Sequence, residues 1–580
     1  MIRHAILSLA ALLPLAACTA PPPPASASAP TPADLPPASA AGVAGTVSAA
    51  DPRAEAAGLA MLRAGGSATD AAIATMLALT VVEPQSSGIG GGGFLVRGTA
   101  DGTVETFDGR ETAPAGATPD WFLDENGEVP PFSESVRSGL SVGVPGNVAL
   151  AALAHRQHGR LPWARLFEPA IELARDGFRM TPRLHRSLAG TAERAGWTAQ
   201  GRALFFDAQG TPHPAGHLVV NAALAETLEA IAAGGPEVFY HGERAAALAA
   251  TVAAETPRAG AMTAGDLAAY EARARDAVCG TYRDYRICGM GPPTSGGVAV
   301  LQILGQLERF DLGALGVDNP VTWHLFVESQ RLAYADRELY LADADFVSVP
   351  VAGLVDPGYL ARRSALIAPD ATMATVAAGV PEGAPRALAD GDEPEERGTS
   401  HFAVVDGANT MVSYTSTIES AFGSGLMSGG FFLNNELTDF SRSPTVEGRL
   451  VANRVEPGKR PRSSMAPMVV WDPQGRPVLA IGAAGGSTIP VQTARSIVGV
   501  IDFGLDAEAA LALPFAMAYG DAVLVEKGTW LERAIPRLRA LGHETVTARE
   551  VGLKANAVLY RDGKWTPARD PRIAAQIVVP

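Results

Sequence analysis

The chain has 580 residues, 47% of them hydrophobic and 18% charged, with a formal net charge of −15. That length exceeds what one ordinary core organises and calls for two domains or one large intertwined α/β unit. The acidic balance, without a basic stripe or interleaved aromatics, excludes a protein built on nucleic-acid phosphates, and beyond the N-terminus no window offers the roughly 18 uninterrupted apolar residues of a membrane span.

The chain opens MIRHAILSLAALLPLAAC, with a basic start at Arg3, an apolar run from Ala5 to Ala17, and small residues ahead of Cys18. Residues 1–17 therefore read as a secretion signal. Leu15-Ala16-Ala17-Cys18 also resembles a bacterial lipobox, in which the Cys thiol is acylated and becomes the mature N-terminus; a plain signal peptide that contains a Cys is the alternative. Residues 18–42 are dense in Pro, Ala and Ser, cannot bury a core, and read as an extended tether suited to holding a body off a membrane by a lipid anchor. The expected location is the periplasm, with the membrane reached only through that anchor.

From Val43 to Thr80 apolar residues recur at helical spacing, over 54–64 and 67–79, with Gly65-Gly66 as the break. SSGIGGGGFLVRG then joins a glycine loop to a short strand; it lacks the Lys-Ser/Thr ending of a phosphate loop and is no dinucleotide fingerprint. VETFDGRETAP predicts a strand followed by a loop bearing Arg110. Segments 147–177, 219–256 and 320–341 read as amphipathic helices. Between them, Cys279 and Cys288 bracket CGTYRDYRIC, where 282–285 can turn a hairpin and set the sulfurs opposite each other; in an oxidising compartment a disulfide and two unpaired thiols are the competing readings.

Between about Ala368 and Gly398 the chain turns to small residues, prolines and the acidic run Asp390 to Glu396, the texture of an exposed, cleavable connector. Strand patterns follow in succession: SHFAVV, TMVSYTSTI, GFFLNN, MAPMVVWD and RPVLAIGAA. Helices are predicted near 491–518 and 529–541, and last strands near 544–549 and 556–561. Such an order suggests sheets packed together under helical layers.

The ten histidines are scattered, and His155 and His158, the close pair, lack a matching carboxylate pattern, so no zinc site is expected; no G-x-S-x-G elbow is present either. Thr399 is the remaining candidate nucleophile. A threonine hydroxyl needs a base beside it, and the α-amino group of the same residue, once its peptide bond is cut, is one. With a reference pKa of roughly 7.7 to 8.0, that amine is partly neutral near physiological pH. Gly398 has no side chain to crowd attack on its carbonyl, so Gly398–Thr399 is a candidate self-cleavage bond; a Thr opening a strand after a glycine turn is the plainer reading.

GTSHFAVVD, followed in order by STIESAFGSG, FFLNNELTDF, GKRPRSSMAP and AAGGS, resembles the γ-glutamyltransferase family of N-terminal-nucleophile hydrolases. Upstream, DAAIATMLALTVVEPQSSGIGGGGF, FDGRETAP, GVPGNVAL and GPPTSGGVAVLQIL are similar to that family's large subunit. The resemblance implies an α/β fold, a four-layer αββα sandwich built from an intertwined large subunit (43–398) and small catalytic subunit (399–580), which stay together as a heterodimer. It implies no cofactor and no metal. By matching motifs, Thr399 is the nucleophile and Thr417 its supporting hydroxyl. Arg110, Ser463 and Ser464 would hold a substrate α-carboxylate, and Glu436 and Asp439 its α-ammonium group. Gly485 and Gly486 would present the backbone N–H pair of an oxyanion hole.

Two departures stand out. Glu419 occupies a position where many members have Asn, adding negative charge near the ammonium pocket, and Thr438 replaces a second Asp beside Asp439. The stretch 441–459 is short and has no Tyr or Trp to gate the pocket. The implied substrate is a small molecule, glutathione or another γ-glutamyl compound, cleaved through an acyl-enzyme and passed to water or an amine. A glutaryl or cephalosporin acylase, or a polyglutamate-cleaving enzyme, is the alternative on the same fold, and a non-catalytic, tethered amino-acid-binding lipoprotein is the alternative of another class.

Overall fold

Strand Ser400–Val405 has no exposed residue: its faces are covered, one edge is paired from Ser400 to Val405, and the other is paired over Ala403 to Val405. The computed structural model describes residues 45–385, 389 and 398–578. The expected signal, Cys18, the tether and the acidic run 390–396 lie outside the described residues. Two antiparallel six-stranded sheets form the centre. Their strands, in chain order, are β1 (Thr46–Ser48), β2 (Gly92–Gly98), β3 (Val104–Asp108), β4 (Arg273–Arg275), β5 (Ala277–Tyr282), β6 (Tyr285–Met290), β7 (Ser400–Val405), β8 (Met411–Thr417), β9 (Met468–Trp471), β10 (Pro477–Ala484), β11 (Lys554–Arg561) and β12 (Lys564–Arg569). The first sheet runs β1-β7-β8-β2-β3-β4 and the second β12-β11-β10-β9-β6-β5.

Alternation along β7 explains the layering. Phe402 and Val404 belong to one core and Ala403 and Val405 to the other, as period-2 side chains must when both faces are covered. On one side lie helices α1 (Pro52–Arg63) and α2 (Ala68–Val82). On the other lies the second sheet, whose far face carries α3 (Gly296–Leu307), α4 (Pro320–Tyr340) and α5 (Ile489–Ile501). The order helices, sheet, sheet, helices is the αββα sandwich. Every residue of α2 is buried, and a reciprocal capping box between Ser67 and Asp70 starts it. Because β1 to β4 come from the first half of the chain and β7 and β8 from the second, neither part can close a sheet alone.

Local differences from the sequence pattern have clear causes. The span 147–177 breaks after His158, and 491–518 ends as helix by Ala512 before a strand at Ala516–Tyr519. GFFLNN pairs only through Phe431–Phe432, since the chain then turns inward. Cys279 and Cys288 sit opposite each other in the β5–β6 ladder with their sulfurs bonded. Three residues distant in sequence, His324, Glu328 and His543, meet in the interior. His324 Nε2 meets the Ala368 carbonyl at 2.8 Å, so its Nδ1 accepts from His543 Nε2 at 2.7 Å. Among the described residues no helix is long and apolar enough to cross a membrane.

His401 packs where the two sheets meet. Its Nδ1 lies 2.9 Å from Thr415 Oγ1, its Nε2 is buried without a hydrogen-bond partner, and its ring fills the space in which a Cβ on Gly482 would stand 2.5 Å from Cε1. Burial pushes its pKa down to about 3. The unfolded imidazole protonates near 6.5. Between those values only the unfolded chain gains the proton, so stability falls as pH drops from about 6.5 towards 3. Urea midpoints of wild type and His401→Gln between pH 7 and pH 4 should show a shallower loss in the variant; equal slopes would mean that His401 is not held neutral.

Candidate active site

Thr399 heads β7 at the edge of the sheet-to-sheet interface. Its N–H donates to the Ser86 carbonyl at 2.8 Å and its Oγ1 donates to Thr417 Oγ1 at 3.0 Å. Thr417 ends β8, and its Oγ1 also accepts the Glu419 N–H at 2.8 Å. Thr399 holds φ at +83°, a left-handed conformation costly for a β-branched residue, so strain sits directly at the Gly398–Thr399 bond. A Cβ at Gly398 would lie 1.6 Å from the Glu419 carbonyl oxygen. Only glycine fits there, and the reason is the approach of Glu419 as much as access to the carbonyl.

The glycine run upstream has a related purpose. A Cβ at Gly91 would fall 2.0 Å from the Thr417 carbonyl oxygen, so the run lets the 86–93 loop lie flat against the Thr417 end of β8. Ser86 on that loop is itself held by Arg183, which donates to its Oγ at 3.0 Å and pairs with Glu83; Glu83 Oε2 accepts from Ser400 Oγ at 2.8 Å. These supports were not apparent from motif spacing.

A second cluster adjoins the first. Arg110 is buried, and its guanidinium pairs with both Glu436 and Asp439 while donating to the carbonyls of Pro461 at 3.1 Å and Arg462 at 2.9 Å. The residues matched to opposite ends of a substrate thus hold one another. Glu111 lies 4.0 Å from Arg110 and neighbours Glu436, and both of its carboxyl oxygens are buried without a hydrogen-bond partner. Burial is the first cause of the upward shifts of this group: Glu111 and Glu419 are pushed to about 8 and Glu436 well above the ordinary carboxyl range. Asp439 raises Glu419 further. Glu419 Oε2 accepts from Asn435 Nδ2, whereas its Oε1 is buried with no hydrogen-bond partner.

Glu419 links the two clusters, its backbone against Gly398 and Thr417 and its carboxyl among the acids. Ser463 and Ser464 follow the carbonyls that grip Arg110, but their hydroxyls are turned elsewhere. Ser463 Oγ accepts the Met465 N–H at 3.1 Å, and Ser464 Oγ accepts from Arg337 at 2.7 Å. Gly485 and Gly486, with φ of +126° and +59°, follow Ala484, whose β-partner Lys554 reaches the backbone of Thr399. Lys554 Nζ donates to the carbonyls of Thr399 at 2.8 Å and Gly398 at 3.2 Å. Burial, then Arg183, holds its amine well below the usual lysine range. Cys279 and Cys288 belong to β5 and β6 and enter neither cluster. His155 and His158 are engaged separately, with the Leu161 carbonyl and Glu105.

Residues 54–579 match the family model described as Gamma-glutamyltranspeptidase. The glutathione hydrolase proenzyme of Bacillus subtilis (strain 168) is 39% identical over 81% of this chain and 80% of its own length, and that of Escherichia coli (strain K12) is 36% identical over 91% and 90%. Among solved structures, the cephalosporin acylase from Bacillus halodurans superposes with a TM-score of 0.79 at 27% identity, covering 95% of this chain and 97% of the other.

Removing the one guanidinium would leave Glu436 and Asp439 without their buried cation, a loss of about 3 kcal/mol or more. Arg110→Gln should therefore melt several degrees lower, with part of the loss recovered by adding Glu436→Gln. A single variant melting within about one degree of wild type would mean the ion cluster contributes nothing to stability.

Proposed function

The chain belongs to the gamma-glutamyltranspeptidase family, and on that premise we propose that it is an autoprocessed γ-glutamyltransferase and glutathione hydrolase with Thr399 as nucleophile. The observation that carries this reading is the Thr399 to Thr417 hydroxyl contact of 3.0 Å, at a strained residue fixed at the head of a fully buried strand. Cleavage of Gly398–Thr399 yields a large subunit, 43–398, and a small subunit, 399–580. They remain together because both contribute strands to both sheets.

In the mature enzyme the new α-amine of Thr399 takes the hydroxyl proton as the oxygen attacks the γ-glutamyl amide. The N–H groups of Gly485 and Gly486 receive the oxyanion. The amine of the leaving group takes a proton and departs, and water or an acceptor amine resolves the ester on Thr399. Arg110, with Ser463 and Ser464, takes the α-carboxylate. Glu419, Glu436 and Asp439 take the α-ammonium group, which supplies a cation to the unpartnered Glu419 Oε1. Because Arg110 is engaged by Glu436 and Asp439 in the free site, substrate binding exchanges that pairing for two new ones. Export behind the 1–17 signal and lipidation at Cys18 would place the enzyme on the periplasmic side of a membrane.

The likeness to a cephalosporin acylase over nearly the whole chain favours a second reading, an acylase that accepts side chains without the amino group. The 441–459 stretch fits it, since an exposed hairpin of Thr445–Val446 and Arg449–Leu450 carries no aromatic cover.

On a denaturing gel, wild type should run as two pieces and Thr399→Ala as one; a wild-type chain that stays whole while active would overturn the nucleophile assignment. The two substrate readings part on the ammonium group. A γ-glutamyl-anilide should be hydrolysed at least about 100-fold faster than a glutaryl-anilide, the scale expected when a buried charged site loses its partner, and the opposite ranking would make the protein an acylase.

A further inference from the structure

Lys554 opens β11, in register with Ala484 at the end of β10. Its backbone N–H donates to Gln492 Oε1 at 3.1 Å, and Gln492 Nε2 donates to the Ala484 carbonyl at 2.9 Å. The first atoms of the side chain are thus fixed. The rest is buried, and Nζ ends between two main-chain oxygens, 3.2 Å from that of Gly398 and 2.8 Å from that of Thr399. A buried amine is costly, and an apolar side chain would fill the same space at no electrostatic cost. The nearby cation Arg183 makes the position harder to sustain. What distinguishes the site is its target, the carbonyl of the bond that Thr399 Oγ1 would attack.

We propose that Lys554 is a catalytic residue of the chain's own cleavage, its amine binding the Gly398 carbonyl oxygen and stabilising the negative charge that develops there. This rests on the reading of Gly398–Thr399 as the bond that is cut. Thr399 Oγ1 gives up its proton along the contact with Thr417 Oγ1 and bonds to the Gly398 carbonyl carbon. The carbonyl π pair moves onto the oxygen held by Lys554, and the growing charge favours the ammonium form of the amine. The C–N bond to Thr399 then breaks, the nitrogen keeps the electron pair and takes the proton that left Oγ1, relayed through the Thr417 hydroxyl, and the carbonyl re-forms as an ester on Oγ1. Water adds to that ester, leaving a Gly398 carboxylate and a free Thr399 hydroxyl and amine. No oxidant, metal or further reactant enters. The oxyanion site for self-cleavage is accordingly separate from Gly485 and Gly486, assigned to the substrate's oxyanion.

The test follows full-length chain made by cell-free synthesis and chased on denaturing gels, with Lys554→Met and Lys554→Arg beside wild type and Thr399→Ala. Lys554→Met should cleave on the order of 100-fold more slowly than wild type, the cost of losing one oxyanion donor, while melting as cooperatively as Thr399→Ala. Lys554→Arg, which keeps a cationic donor, should recover at least about tenfold of the loss, that donor being the feature removed in Lys554→Met. If Lys554→Met does not melt cooperatively, Lys554→Leu is judged by the same rate criterion. Cleavage of Lys554→Met within threefold of wild type, or a folded Lys554→Arg as slow as Lys554→Met, overturns the inference. Wild type that never cuts at Gly398–Thr399 overturns the underlying reading instead.

Discussion

The complete burial of β7 is the constraint on which the rest of the molecule depends. β7 is hydrogen-bonded to β8 from Ser400 to Val405 and to β1 over Ala403 to Val405, and both of its faces are packed, so Thr399 at its head inherits a fixed position. The sandwich supplies what Thr399 needs in two layers. From the helical side come Ser86, Glu83 and Arg183; from the second sheet comes Lys554. Strain at Thr399 persists because these contacts together outweigh it.

The same architecture makes the chain a single folding problem. β7 and β8 lie between β1 and β2 in the first sheet, and β9 to β11 lie between β6 and β12 in the second. Segments before and after residue 398 are therefore interleaved in the first sheet and share the β6–β9 seam in the second. Cutting the peptide bond before Thr399 would remove one covalent link and none of this pairing, so a two-piece form would need no new interface.

Much of this was legible in the sequence. The alternation in SHFAVV, the Gly65-Gly66 break and the long helix over 320–341 are local patterns, and local patterns survive folding. Motif order located Thr399, Thr417, Arg110, Glu436 and Asp439, and folding brought the last three into direct contact. Less was legible where function depends on residues that meet only in three dimensions. Lys554 lies 155 positions from Thr399, and nothing in its surroundings, GLKANAVLY, sets it apart from an ordinary strand lysine. His324, Glu328 and His543 were missed for the same reason. The run GIGGGG lacks the ending of a phosphate loop, and its actual constraint, the Phe432 and Thr417 carbonyl oxygens pressed against Gly90 and Gly91, comes from segments distant in sequence. Ser463 and Ser464 show the converse: the motif placed them near Arg110, and the hydroxyls face other partners.

The charge of the second cluster bears on specificity. Four buried carboxyls, Glu111, Glu419, Glu436 and Asp439, share the neighbourhood of the Arg110 guanidinium, and such a group cannot be fully ionised. Protons held by Glu111, Glu419 and Glu436 keep it near neutral. A cation entering this cluster could replace a proton and leave the local charge balanced, an exchange that a neutral group could not make. The Thr399–Thr417 contact holds no such group of acids. The two clusters are therefore built from different parts and meet at Glu419, whose backbone lies against Gly398 and Thr417 and whose carboxyl lies among the acids.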